Sequence, residues 1–324
     1  MPDAGKFSSD AGASGLRRSD PLSLILSDIH LDGAVLRELE LCAPWALRLH
    51  TPGLTAVHIV MRGRAILRRE GHPPLTLEAG DIVVLPGGDA HVLKDATGAL
   101  DVQPCDLLPE LGYVQAEPLR AGGNGASSVL LSGHCRFDVD MARPLVTALP
   151  PLMWMHGIGG SAPPWLAHGV RFILEETARR MPGQQAIFNH VLDIILVEML
   201  RDHVESLPEG DGGWLLALRD ASLSAALAAV HGEPGRDWTV PELADAAHLS
   251  RSAFAERFTQ VLGQPPLTYL TEHRMRVALY LLRHSGLSVA AVAERVGYRS
   301  DTAFSQAFKR AHGVSPSRAR AALG

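Results

Sequence analysis

The chain has 324 residues, of which 46% are apolar and 20% charged, with three cysteines and a formal net charge of −5. That length suits two or three domains, and the balance excludes fibrous, wholly disordered and multi-span membrane proteins. Three cysteines make no even disulfide framework, which points to a reducing, cytoplasmic compartment.

Residues 1–20 are polar and rich in Gly, Ser and Asp, which predicts a disordered tail rather than a signal peptide. From Leu22 to about Leu100 the pattern is of short β-rich runs: Val57 to Val60, Ala65 to Leu67, Leu75 to Leu77 and Ile82 to Leu85. Gly63, Gly71, Pro73-Pro74, Gly80 and Gly87-Gly88 punctuate them, as turns do in a small barrel or jelly roll. Gly80 to His91 reads G-x5-P-x-G-x-x-H, which resembles the second signature of the cupin barrel. A cupin-like sensor barrel is therefore expected over residues 21–120.

In metal-binding cupins, the resemblance implies, His91 would be a ligand and His50 would stand near the first histidine position. Pro52 and Ala56 occupy the places of the second histidine and the glutamate. Too few ligands remain for a site of three protein groups plus water, so no metal or other cofactor is expected. A metal-dependent cupin enzyme with packed C-terminal helices is the alternative reading. Cys42, Cys105 and Cys135, with His50, His58, His91 and His134, lie in or beside the barrel as effector or redox candidates. Such thiols and imidazoles suit an oxidant sensor or a borderline metal, and isolated thiols also serve as small core hydrophobes.

Helical periodicity then predicts segments over Trp165 to Met181, Gln184 to Val204 and Trp214 to His231. In the second, Ile187, Val191, Ile194, Ile195 and Leu200 form a broad apolar stripe. Leu166, Val170, Ile173, Leu174 and Thr177 do the same in the first. The apolar run from Ala186 to Leu200 is interrupted by Asn189, His190, Asp193 and Glu198, so it cannot span a bilayer. Residues 121–232 read as a connector and helical dimerisation region.

Beyond it the chain repeats itself. Ser250, Ala253, Phe254, Phe258, Gly263 and Pro266 recur fifty positions later as Ser300, Ala303, Phe304, Phe308, Gly313 and Pro316. Each serine stands at a helix N-cap, the paired phenylalanines share a face, and glycine then proline end the helix. A short amphipathic segment precedes each cap, from Val240 to His248 and from Val289 to Val296. Tight turns through His248-Leu249 and Gly297-Tyr298-Arg299 make each pair a helix-turn-helix, whose second helix enters a major groove. A continuous helix from about Leu267 to His284 joins the two. From Arg236 to Gly324 there are 12 Lys and Arg against 7 Asp and Glu, a net of +5. The whole chain carries 30 against 35, so the residues before Arg236 hold −10. A basic surplus confined to one end suits a polyanion there.

With its alanine-rich helix around Leu243-Ala244 and its blocks RSAFAERF, GYRSDTAFSQAFKR and GVSPSRAR, this region resembles the AraC/XylS transcriptional regulators. The resemblance implies an α+β protein: an N-terminal cupin-like barrel, a helical middle and an all-α module of two tandem helix-turn-helix units over residues 236–324. It implies a sequence-specific DNA-binding regulator, not an enzyme, whose recognition helices meet successive major grooves about 34 Å apart. Double-stranded promoter DNA, a second copy of the chain, RNA polymerase and an effector of open identity are the implied partners, with no membrane. Leu243, Phe254, Phe258, Val292, Val296, Phe304 and Phe308 should be buried. Groove-facing positions carried over are Ser252, Ala255 and Glu256 in the first unit, and Asp301, Thr302, Ser305 and Gln306 in the second. Arg251, Arg257, Arg299, Lys309 and Arg310 are expected on phosphates, beside the capping Ser250 and Ser300. Small Ser252 and Ala255 suggest that the first unit reads fewer bases.

Overall fold

The computed structural model describes residues 22–23, 31–97, 103–104, 118–137, 145–157, 164–179, 181–208 and 213–321. The expected tail over 1–20 and Cys105 lie outside them. The strands are β1 (Leu31–Cys42), β2 (Ala46–Leu49), β3 (Thr55–Arg62), β4 (Arg64–Arg69), β5 (Leu75–Glu78), β6 (Ile82–Leu85), β7 (His91–Lys94), β8 (Gln103–Pro104), β9 (Leu119–Gly122), β10 (Ser127–Phe137) and β11 (Met153–Met155). They form two sheets, of order β11-β6-β3-β10-β1-β9 and β5-β4-β7-β2-β8.

The central strand β3 explains the layering. Its side chains alternate between two cores, as strand geometry requires. Ala56 and Val60 face the barrel interior with Leu39, Leu130, Val83 and Leu85. Val57 and Ile59 face outward and pack with Phe188, Leu192 and Ile195 of a covering helix. A strand buried on both faces reads as a near-continuous apolar run, which in Val57 to Val60 is broken only by the buried His58. In the signature loop, Gly88 adopts φ +66° and a Cβ there would stand 1.9 Å from the Thr51 carbonyl oxygen. Only glycine closes that loop and sets His91 at the head of β7.

The barrel does not end at residue 120 as expected. Strands β9, β10 and β11 complete the larger sheet, with β10 lying antiparallel between β1 and β3 and β11 beside β6.

The helices are α1 (Pro164–Arg179), α2 (Gln184–Ser206), α3 (Trp214–Arg219), α4 (Ala221–Gly232), α5 (Val240–Ala246), α6 (Arg251–Leu262), α7 (Pro266–His284), α8 (Val289–Arg295), α9 (Asp301–His312) and α10 (Pro316–Ala321). The expected helix from Trp214 to His231 is two helices. Asp220 adopts an extended conformation and its carboxylate accepts from the Ser222 and Leu223 amides, which stops α3 and starts α4. Of the stripe on α2, Ile195 and Leu200 are buried and Ile194 is 48% exposed. Phe172, on α1, is also exposed. No helix among the described residues is long and apolar enough to cross a membrane.

One apolar core runs from the outer face of the larger sheet through α2, α3 and α4 into α5, α6 and the start of α7. A separate core joins the end of α7 to α8, α9 and α10. The first helix-turn-helix unit is therefore packed into the body of the protein, and the second hangs from α7. Tyr269 of α7 is buried beneath the connector: its hydroxyl accepts from the Trp214 Nε1–H at 2.9 Å and lies 2.8 Å from His231 Nε2.

Candidate nucleic-acid interface

Each recognition helix is built by the local chemistry read from the sequence. The Ala253 amide donates to Ser250 Oγ and the Ala303 amide to Ser300 Oγ, both at 3.3 Å. Gly263 and Gly313 end the helices at φ 72° and 74°, a left-handed cap that a side chain would strain. The preceding helices start alike. Thr239 and Glu242 form a capping box, in which the Thr239 amide donates to Glu242 Oε2 at 2.9 Å, and Ser288 Oγ accepts from the Ala291 amide. The Thr239 and Arg236 hydrogen bonds hold the Glu242 carboxyl below its ordinary range.

The two turns differ by one residue. In the first, Leu249 N–H reaches Ala244 C=O and His248 takes φ +54°; in the second, Tyr298 N–H reaches Ala293 C=O and Gly297 takes φ +82°. The scaffold helices thus repeat at an offset of 49, the recognition helices at 50.

Leu243, Phe254, Phe258, Val292, Val296, Phe304 and Phe308 are all fully buried, as expected of the glue of each unit. Their phenylalanine rings stack in tilted pairs, 5.4 Å apart for Phe254 and Phe258 and 5.7 Å for Phe304 and Phe308. The opposite faces carry Ser252 and Glu256 in α6, and Asp301, Thr302 and Gln306 in α9, all exposed. Ala255 and Ser305 are half-buried.

Arg251, Lys309 and Arg310 are exposed. Two other basic candidates are already paired. Arg257 Nε donates to Asp220 Oδ2 at 2.6 Å, and Arg299 Nη2 to Asp237 Oδ2 at 2.7 Å. A flank of α6 also lies along α3. The Gly213 amide donates to the Val261 carbonyl, and Leu216 shares a groove with Ala253, Glu256 and Arg257. Sequence reasoning missed both acids, since each lies far in sequence from the arginine it meets, Asp220 from Arg257 and Asp237 from Arg299.

The barrel candidates are redistributed. His50 is exposed and acts on His91 only as a neighbouring charge, whereas His91 Nε2 lies 2.8 Å from Nε2 of His58. Burial, and then the neighbouring His91, hold His58 well below its ordinary pKa, and burial lowers His91 too. Cys135 belongs to the outer face under α2, away from these rings, and burial pushes its thiol up to about 12. That thiol is held protonated, against the oxidant-sensing reading at this position. Cys42 is half-buried at the end of β1. Among the described residues no group of three His, Cys, Asp or Glu side chains could hold a metal ion.

Comparison with known proteins agrees with this layout. A family model described as Cupin matches residues 20–205, and one described as Helix-turn-helix domain matches residues 243–322. The chain is similar to the HTH-type transcriptional regulator AlkR of Acinetobacter baylyi, with 36% identity over 300 residues, 92% of this chain and 97% of that one. It is also similar to an AraC-like transcription regulator of Streptomyces lividans, at 31% identity over 92% of this chain and 96% of that one. Among solved structures, the DNA-binding domain of AdpA in complex with a target DNA is 36% identical, covering 32% of this chain and 92% of that one, with a TM-score of 0.30. With relatives of this kind matched over nearly their whole length, the cupin enzyme reading is not favoured. The chain belongs to the AraC family of DNA-binding transcriptional regulators and carries a cupin-like N-terminal domain.

Proposed function

We propose that α6 and α9 enter neighbouring major grooves on one side of promoter DNA, and that the barrel sets when they do so. The observation that carries this is the two-sidedness of both helices: phenylalanine pairs buried behind, short polar side chains exposed in front. Gln306 offers its amide to adenine, and Asp301 and Glu256 accept from a cytosine amine. Arg251, Lys309 and Arg310 meet phosphates, joined by Arg257 and Arg299 once DNA displaces Asp220 and Asp237. Ser252 and Ala255 are short, so α9 carries more of the sequence reading. The exposed Phe172 and Ile194 on α1 and α2 support a homodimer, which would present two such modules to a repeated site. An effector in the barrel then biases which pair of half-sites is held, and RNA polymerase reads the outcome in the cytoplasm.

Two substitutions test the assignments. Gln306→Ala is expected to lose about 1–3 kcal/mol at one A·T pair and nothing elsewhere, scored by binding to a panel of single-base operator variants. An even loss across all sequences would make it a backbone contact. Asp237→Asn removes a pair whose side chains are 90% and 62% exposed. Exposed pairs contribute at most about 1 kcal/mol, so the freed Arg299 should raise DNA affinity by up to about fivefold at low salt. Unchanged or weakened binding in a mobility-shift titration would remove Arg299 from the interface.

A further inference from the structure

The inner wall of the barrel carries a row of polar side chains with polar atoms that the fold leaves unpaired. Arg37 on β1 stands opposite Ser132 on β10, and Ser132 stands opposite His58 on β3. His134, two residues along β10, shares their face, between Val35 and Ala56. The alternation of these strands places all four toward the interior, with Leu39, Leu130 and Val60. His58, Ser132 and His134 are at most 1% exposed.

Buried polar atoms in a finished core have partners. Here Arg37 Nε, His58 Nδ1, Ser132 Oγ and both ring nitrogens of His134 have none. One orphan is an imperfection; a patch of adjacent orphans on three neighbouring strands calls for polar partners from outside the fold.

The chemistry of the patch says which kind. His91 Nδ1 lies 2.7 Å from the Asp89 carbonyl oxygen, which can only accept, so the proton sits on Nδ1 and His91 Nε2 is bare. That nitrogen then accepts from His58 Nε2–H, leaving His58 Nδ1 as a lone pair that needs a donor. Arg37 Nε–H and the Ser132 hydroxyl need an acceptor, and a guanidinium favours one with negative charge.

We propose that the barrel binds a small hydroxycarboxylate, its carboxylate on Arg37 and Ser132, its hydroxyl donating to His58 Nδ1, and His134 closing the site from β10. This deepens the effector reading above and rests on it. Neighbouring strands lie about 4.8 Å apart, so the row spans three strands and suits a molecule of a few carbons rather than a long chain.

The test uses the full-length protein with sodium glycolate, lactate and malate at millimolar concentration, against acetate, which lacks the hydroxyl, and propanediol, which lacks the charge. Thermal shift and calorimetry should show saturable stabilisation by at least one hydroxy acid, weaker by acetate and absent with the diol. Ser132→Ala and Arg37→Met should abolish that response while the ligand-free Tm of Ser132→Ala stays level or rises, because an unsatisfied hydroxyl has been removed. No stabilisation by any of the three acids, an undiminished response in both variants, or a lower ligand-free Tm for Ser132→Ala would overturn the proposal. Binding of the same samples to a duplex chosen by binding-site selection separates the two readings. Retained DNA affinity without acid binding sinks this inference alone, and acid binding without DNA affinity sinks the DNA-contact reading instead.

Discussion

Phe308→Ala is expected to melt the second helix-turn-helix unit while the first stays folded. Phe308 is fully buried, stacked on Phe304 and His312, in a core that contains only the end of α7 with α8, α9 and α10. Truncating a buried phenylalanine to alanine costs about 3–5 kcal/mol through lost transfer energy and the cavity left behind. A unit of some forty residues, on the order of the smallest domains that fold alone, has little stability to spare. Amide exchange should therefore lose protection in α8 and α9 but keep it in α5 and α6, and sequence-specific DNA binding should fall to the level of random duplex. The matched change Phe258→Ala strikes the core shared with the barrel and connector, so its cost should appear as a lower Tm of the whole body. Equal loss of protection in both units after Phe308→Ala would show that the two cores are not independent.

DNA affinity should fall steeply with salt, and the slope should reveal how many arginines are released. Each phosphate contact contributes about −0.9 to the slope of log affinity against log salt on duplex DNA. With Arg251, Arg257, Arg299, Lys309 and Arg310 all engaged, one module has a slope of about −4.5, a loss of about 500-fold between roughly 50 and 200 mM salt. If Arg257 and Arg299 instead stay with Asp220 and Asp237, three contacts remain and the slope is about −2.7, a loss of about 40-fold. A flat response across that range would remove the basic residues from the interface altogether. Single substitutions to alanine should each lower the slope by about one contact, which separates phosphate contacts from solvated surface charge.

The tandem units were legible because everything that builds them is local. Ser250 and Ser300 cap the helix that begins at the next residue, Phe254 and Phe258 are four apart on one face, and Gly263 and Gly313 end it. The barrel was legible only in its first half, where Ala65 to Leu67 and Leu75 to Leu77 form a hairpin and Val57 to Val60 pairs with Ile82 to Leu85. Its closure was not, since β10 pairs with β1 across Leu41↔Ser128 and similar partners far apart in the sequence, and no short-range pattern announces such pairing. The break at Asp220 was hidden because an N-cap aspartate interrupts an apolar run without disturbing its period. Spacing alone put His50 beside His91, whereas the site is set by which residues share an inner face, and that made His58 its neighbour. Arg37 and Ser132 gave no signal at all until strand register aligned them.

The bridge between Tyr269, Trp214 and His231 decides what kind of motion the molecule can use. One end of α7 is bolted to the connector and its far end is the floor of the outer unit, so the distance between the two heads is a constant of the helix. A signal from the barrel, as proposed above, could swing this axle but not lengthen it. On the proposed reading, selectivity for the spacing inside a half-site is built in at folding, and an effector would change only the angle at which the whole fork is offered to the duplex.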